Sequence, residues 1–228
     1  MDAPISLAVS TVIFALRPDP HTRRLALWLP LVRRIREPHR GSWALPGGPL
    51  TSDEGLAASA ARYLRETTGL TPQYLEQLYA FGGLDRAPDA AERTVSVVYW
   101  ALVRPEEAEA ATAGVNVRWF LADELPELAF DHSLIVEYAL WRLRNKVEYS
   151  RIAAAFLGEV FTLAELRGVH EAVLQRRLDP ANFRRQMEGS GQLVATDAFR
   201  TGARHRPARL YRHDRSIHLA DNGPLTGQ

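Results

Sequence analysis

The chain has 228 residues, 46% hydrophobic and 24% charged, a make-up that excludes disorder and fibre and leaves room for two globular domains. It has no cysteine, no cleavable leader pattern and no apolar run near the ~18 residues of a spanning helix, so neither disulfides nor a membrane is expected and a cytoplasmic protein is. The net charge of +1 conceals a split: residues 1–149 carry 16 Lys and Arg against 19 Asp and Glu, and residues 150–228 carry 12 against 8, which predicts a basic C-terminal module that meets a polyanion.

Residues 5–16 are β-branched and apolar, 17–21 (RPDPH) form a turn and 25–32 resume the apolar run, the pattern of a hairpin. Residues 41–48 (GSWALPGG) follow, with Trp43 either a core residue or a stacking platform for a base. Thr51 with Glu54 three residues on predicts a capping box, after which Leu56, Ala57, Ala60, Ala61 and Leu64 recur at helical spacing until Gly69. Those five predict one buried face, with Arg62 and Glu66 a turn apart on the opposite one. Gly47 and Gly48 just ahead of the helix leave bare backbone beside a positive helix end, a cradle for a phosphate. The plain alternative is an amphipathic helix after a Gly-Gly turn.

Further on, residues 75–81 read as a strand, 82–93 as a polar loop with Asp85, Arg86 and Arg93, 94–103 as a second strand, 104–114 as an acidic loop and 115–120 as a third strand. Asp131 has the place of an N-cap for a helix reaching about Lys146, the chain's single lysine. Strands on both sides of a central helix, then a second helix, predict an α/β sandwich.

The rest has a different rhythm. Residues 151–157 make a short apolar helix, Thr162 and Glu165 a capping box for the next, and Asp179-Pro180 an N-cap with proline at the first position of a third, which Gly189 ends. In that third helix Phe183 and Met187 face inward, so Asn182 and Arg185 face out with Arg184 at the flank. Residues 192–196 and 208–212 read as strands around a loop carrying Arg200, Arg204, His205 and Arg206. Three helices and a hairpin spell a winged helix-turn-helix, whose outward Asn and Arg reach base edges while wing arginines grip phosphates or a minor groove. Between Asn182 and Arg215 eight arginines stand against three acids, and together they favour DNA over a solvated face or a protein-docking module.

The spacing of the first motif resembles the Nudix box of hydrolases acting on nucleoside diphosphates linked to another moiety. Gly48, Glu54, Arg62, Leu64, Glu66, Gly69 and Leu70 all fall where that pattern wants them. The family places a glutamate directly after the arginine and a pair three and four residues further, positions that hold Tyr63, Glu66 and Thr67 here. The resemblance therefore implies a Nudix fold that has lost two of three Mg²⁺-binding carboxylates, with Glu66 left as a weak metal position, and that binds without hydrolysing.

From about Trp43 to Arg212 the chain resembles the Nudix-related transcriptional regulator family (NrtR), a degenerate Nudix domain before a winged helix-turn-helix. LPGG with the damaged box, FTLAEL, DPANFRR and RPARLYR carry the resemblance. It implies an α/β/α sandwich over residues 1–148 and a DNA-binding domain over 149–228. Further implied are a homodimer on a palindromic double-stranded DNA operator, repression of NAD biosynthesis and salvage genes, and release by ADP-ribose with no cofactor required. Effector-binding positions are then Trp43, Gly47, Gly48, Glu54, Arg62, Glu66 and Arg86; DNA-binding positions are Asn182, Arg184, Arg185, Arg200, Arg204 and Arg206. Two alternatives stand beside this. One is a regulator of arabinose or xylose use with a sugar-phosphate effector; the other is a working ADP-ribose pyrophosphatase that recruits an acid from Glu106, Glu107 or Glu109.

Overall fold

A computed structural model of the chain describes residues 4–71, 74–84, 86, 93–110, 116–149, 151–201 and 207–213. In chain order these form β1 (Ile5–Pro18), β2 (Leu25–Arg33), β3 (Trp43–Ala44), β4 (Gly47–Pro49), α1 (Leu56–Thr68), β5 (Tyr74–Phe81), β6 (Arg93–Val103), α2 (Pro105–Ala110), β7 (Val117–Leu121) and α3 (His132–Tyr149). A 3-10 turn (Arg151–Phe156) then leads into β8 (Phe161–Thr162), α4 (Leu163–Leu174), α5 (Pro180–Gly189), β9 (Leu193–Arg200) and β10 (Ala208–His213).

The first seven strands make one mixed sheet in the order β3-β2-β1-β6-β5, with β4 on β1 and β7 on β2. The central pair β1–β6 is parallel and its register runs from Ile5↔Arg93 to Ala15↔Val103. Both strands are buried on two faces, which explains why they read as continuous apolar runs. Period-two alternation sends Val12, Phe14, Leu16, Val98, Trp100 and Leu102 to one face, under α3. Val9, Ile13, Ala15, Val97, Ala101 and Val103 go to the other, under α1 and α2. The result is the expected α/β/α sandwich.

Helix α1 departs from expectation in two ways. It starts at Leu56 with Gly55 as an N-cap that makes no side-chain hydrogen bond, so the Thr51–Glu54 capping box does not form. The Glu54 carboxylate is drawn to Arg62 instead. Its buried stripe is Ser59, Ala60, Leu64, Thr67 and Thr68, while Ala57, in the first turn, is exposed. Gly69 ends it in the left-handed conformation, φ 73°, as glycine there permits.

The expected acidic loop after β6 is in part helix α2. Glu107 accepts the Arg104 N–H at 3.0 Å and Ala108 is buried on the sheet. Asp131 immediately precedes α3, but its carboxylate goes to Arg86 rather than to the helix end.

The C-terminal part is a winged helix. A three-stranded sheet, β8-β10-β9, backs α4 and α5, and the wing strands are longer than expected. Thr162 and Glu165 form the expected capping box, and the first expected helix is a 3-10 turn. This part does not stand apart: one apolar cluster runs from Val12 and Phe14 through Leu143 and Phe156 to Val169, Phe183 and Tyr211. Among the described residues no helix is long and apolar enough to cross a membrane.

Candidate functional site

Strand β4 sets the glycine loop. Gly47 and Gly48 lie opposite Ser10 and Val9 of β1, nine and eight residues before Leu56 rather than at the N-terminus of α1. Their bareness is used by protein: a Cβ on Gly47 would stand 2.4 Å from the Val9 carbonyl oxygen, and one on Gly48 2.4 Å from the Tyr63 hydroxyl. The cradle expected at the helix start is therefore a strand edge overlaid by a tyrosine. Tyr63 donates its hydroxyl to the Pro49 carbonyl at 2.9 Å, with the Arg62 guanidinium 4.1 Å from its ring centroid.

Arg62 and Glu54 form a close ion pair, Nε to Oε2 at 3.1 Å, which holds the Glu54 carboxyl down at about 2 and raises Arg62. Glu66 is more remote from Arg62, at 3.4 Å, and its side chain is 57% exposed. Thr67 is buried, its hydroxyl returned to the Tyr63 carbonyl at 2.7 Å. Of the box's carboxylates one locks the loop, one points to solvent, and the two family positions at 63 and 67 hold a tether and a buried hydroxyl. Among the described residues no three of His, Cys, Asp and Glu converge as a metal site, and this donor set does not fit a Mg²⁺ cluster.

Trp43 is half-buried, its ring edge-on to Phe120 at 5.0 Å, so it serves packing while keeping part of its surface open. Arg86 is committed to protein: two nitrogens reach Asp131 at 2.6 and 2.8 Å and a third reaches the Phe81 carbonyl at 2.6 Å. The structure thus brings Gly48, Glu54, Arg62 and Glu66 together around Tyr63 and leaves Arg86 as a staple between the end of β5 and the start of α3. Residue His132, which the sequence did not single out, accepts the Leu45 N–H on Nδ1 at 2.9 Å and so ties α3 to the box approach. Burial pushes its pKa down to about 4.

In the winged part, Asp179 accepts the Asn182 N–H at 2.8 Å and Pro180 opens α5. Phe183 is buried against the edge of His170, ring centroids 5.2 Å apart, and anchors α5 on α4. Asn182, Arg184 and Arg185 are exposed as expected. Arg185 donates to the Asn182 side-chain oxygen at 2.8 Å, presenting the two as a pair, and Arg184 pairs with Glu188. Arg200 pairs with Glu165 at the start of α4. Arg204 and Arg206 lie outside the described residues.

Long-range contacts join the two parts. Arg144 of α3 donates to the Val173 carbonyl near the end of α4 at 3.1 Å and to Asp123 at 2.6 Å, and Asp123 also accepts from Gln175 in the turn before α5. Glu171 fixes the same turn by accepting the Leu178 N–H and pairing with Arg177. No local pattern marks these residues, because partners as far apart as Asp123 and Gln175 share no periodicity.

Two family models match the chain. A model of the NUDIX domain matches residues 8–138, and one of the NrtR DNA-binding winged helix domain matches 153–213. The chain is 35% identical over 187 residues to the ADPR responsive transcriptional repressor NtrR of Acinetobacter baylyi, covering 80% of this chain and 74% of that one. It is 32% identical over 113 residues to the ADP-ribose pyrophosphatase of Methanocaldococcus jannaschii, covering 49% of this chain and 66% of that one. Among solved structures it resembles Shewanella oneidensis NrtR complexed with a 27mer DNA, with 36% identity, a TM-score of 0.76 and coverage of 91% of this chain and 93% of that one.

Proposed function

Because the chain belongs to the NrtR family, a Nudix domain followed by a winged-helix DNA-binding domain, we propose that it is a DNA-binding transcriptional repressor whose Nudix domain takes ADP-ribose as effector without hydrolysing it. The observation that carries this reading is a pairing within one continuous core. A box helix has its catalytic positions taken by Tyr63 and buried Thr67, and a capped α5 exposes Asn182 and Arg185 as a hydrogen-bonded pair toward base edges. In this reading the protein acts as a homodimer on a palindrome, ADP-ribose releases the operator, and the genes controlled are those of NAD synthesis and salvage. A ligand can do so only by binding the DNA-incompetent arrangement more tightly. The Arg144–Asp123–Gln175 contact, which joins α3 to the turn before α5, is the route by which pocket occupancy reaches the DNA-binding helix.

The test combines a gel shift on palindromic DNA from the protein's own operon, with and without ADP-ribose, and an assay for release of AMP and ribose 5-phosphate. Retention of DNA, its loss with ligand and no product are expected. A ligand-insensitive complex overturns the effector role. Similarity to the Methanocaldococcus jannaschii pyrophosphatase favours a second reading, an active hydrolase. Against it, Glu54 is committed to Arg62 and Glu107 to the start of α2, and among the described residues no three acids or histidines converge as a metal site. Product release with Mg²⁺ would establish that second reading instead.

A further inference from the structure

Beside the box approach stands an exposed aromatic that serves no core. Phe130, in the loop entering α3, is left 38% exposed, and its backbone is left-handed at φ 59°, a conformation that phenylalanine avoids. His39, in the loop between β2 and β3, is left-handed too, at φ 64°, and the two rings meet edge to face with centroids 4.7 Å apart. Arg34 lays its guanidinium 4.6 Å from the Phe130 centroid, and its Nε is fixed by the Pro38 carbonyl at 2.8 Å.

The loop entering α3 is stitched to the strand that feeds the glycines, and the 34–42 loop runs directly into that strand at Trp43. Ala129 donates its N–H to the Trp43 carbonyl at 2.7 Å, and Leu45 donates to His132 at 2.9 Å. From Trp43 to Gly47 is four residues, about 13 Å of extended chain. The loop at residues 34–42 carries Arg34, Arg36, His39 and Arg40 against Glu37 alone. Such a rim favours an anionic ligand, and the exposed ring with its stacked guanidinium favours a planar one. Two costly backbone conformations that meet at one solvent-facing ring are accounted for by a ligand they position.

We propose that Phe130, with Arg34 and His39, is the platform for the nucleobase end of a nucleotide whose phosphates lie toward the glycine loop. The Phe130 ring supplies the stacking face, and the guanidinium supplies donors to ring nitrogens and positive charge to the phosphate side. This rests on the effector reading above and adds to it the residues that would select a nucleotide over a sugar phosphate.

The full chain and its Phe130→Leu, Phe130→Tyr and Arg34→Gln variants are titrated calorimetrically with ADP-ribose and with AMP, alongside thermal unfolding. Phe130→Leu should weaken both nucleotides roughly tenfold, as loss of a base stack does. Arg34→Gln should weaken them less, Phe130→Tyr should retain affinity, and all should unfold near the parent temperature. Unchanged ADP-ribose affinity in Phe130→Leu overturns the platform and leaves the effector reading in place. AMP binding that depends on Phe130, with no ADP-ribose binding, supports the platform and removes ADP-ribose as effector. If neither nucleotide binds the parent chain, both fall.

Discussion

Helices α1 and α5 carry the side chains on which the two proposed activities depend, and they are held in opposite ways. Helix α1 has no side-chain cap; Ala60 and Leu64 on the sheet, the Glu54–Arg62 pair and the Tyr63 tether fix it from outside. Helix α5 is started by its own Asp179 and Pro180, has Phe183 as its buried side chain, and shows most of its surface to solvent. A helix fixed by long-range contacts can keep a motif's spacing while its chemistry changes, because the core preserves the shape. One fixed by its own caps leaves its polar face free for a partner.

The comparison breaks most sharply at Phe183. Phe183→Ala removes the buried anchor of α5, and a core phenylalanine truncated to alanine costs about 3–5 kcal/mol. Loss of DNA retention is expected, with thermal unfolding at markedly lower temperature. If the variant unfolds like the parent and keeps DNA, α5 is not held by this contact.

Acid tests both parts of the molecule through histidines. His132 ties the box approach and His170 packs on Phe183, and burial lowers the pKa of each from 6.5 to about 4. The unfolded chain binds these protons more readily than the folded one, so stability is full above pH 6.5 and falls as pH drops from 6.5 toward 4. At the low end the loss is up to about 3 kcal/mol per histidine. Melts between pH 7 and 4 should show it. His132→Asn, which keeps an acceptor for the Leu45 N–H, should flatten the His132 share; an unaltered slope would sink that assignment.

Sequence made much of this legible, and unevenly. The strands, the Thr162 box, the Asp179 cap and the outward Asn182 and Arg185 could be read because each rests on local spacing. The start of α1 could not, since the Thr51–Glu54 pattern is locally sound and loses to Arg62, eight residues after Glu54. The role of Arg86 was hidden because Asp131 lies 45 residues away, and Phe130 because nothing local marks a left-handed phenylalanine. Tyr63 was legible as a departure from the box, but its place over Gly48 appears only when β4 is laid on β1.

The caps sharpen the contrast at smaller scale. Asp179→Ala should cost about 1 kcal/mol, the usual worth of an N-cap, and weaken operator binding as the first turn of α5 frays. Thr51→Ala, at the box that does not form, should change melting negligibly. Equal losses in the two variants would mean that α1 is capped after all.

The smallest effect is expected at Glu66. Its contact with Arg62 is long and exposed, so Glu66→Ala should alter stability by less than about 0.5 kcal/mol and leave DNA affinity without ligand unchanged. Glu66 nevertheless lies on the solvent side of α1, next to the Arg62 that pairs with Glu54. If ADP-ribose acts through this surface, the variant should respond to it at higher concentrations than the parent does. Linkage makes the check independent of any structural detail: operator DNA must weaken ADP-ribose binding by the same factor as ADP-ribose weakens operator binding. Calorimetric titration of ADP-ribose with and without operator measures that factor in both proteins. If the variant is a weaker binder with the factor retained, Glu66 contributes to the pocket and the signal travels elsewhere, through Arg144 and Asp123. A factor that collapses to one places Glu66 on the route itself, and identical titrations for parent and variant remove it from the effector site.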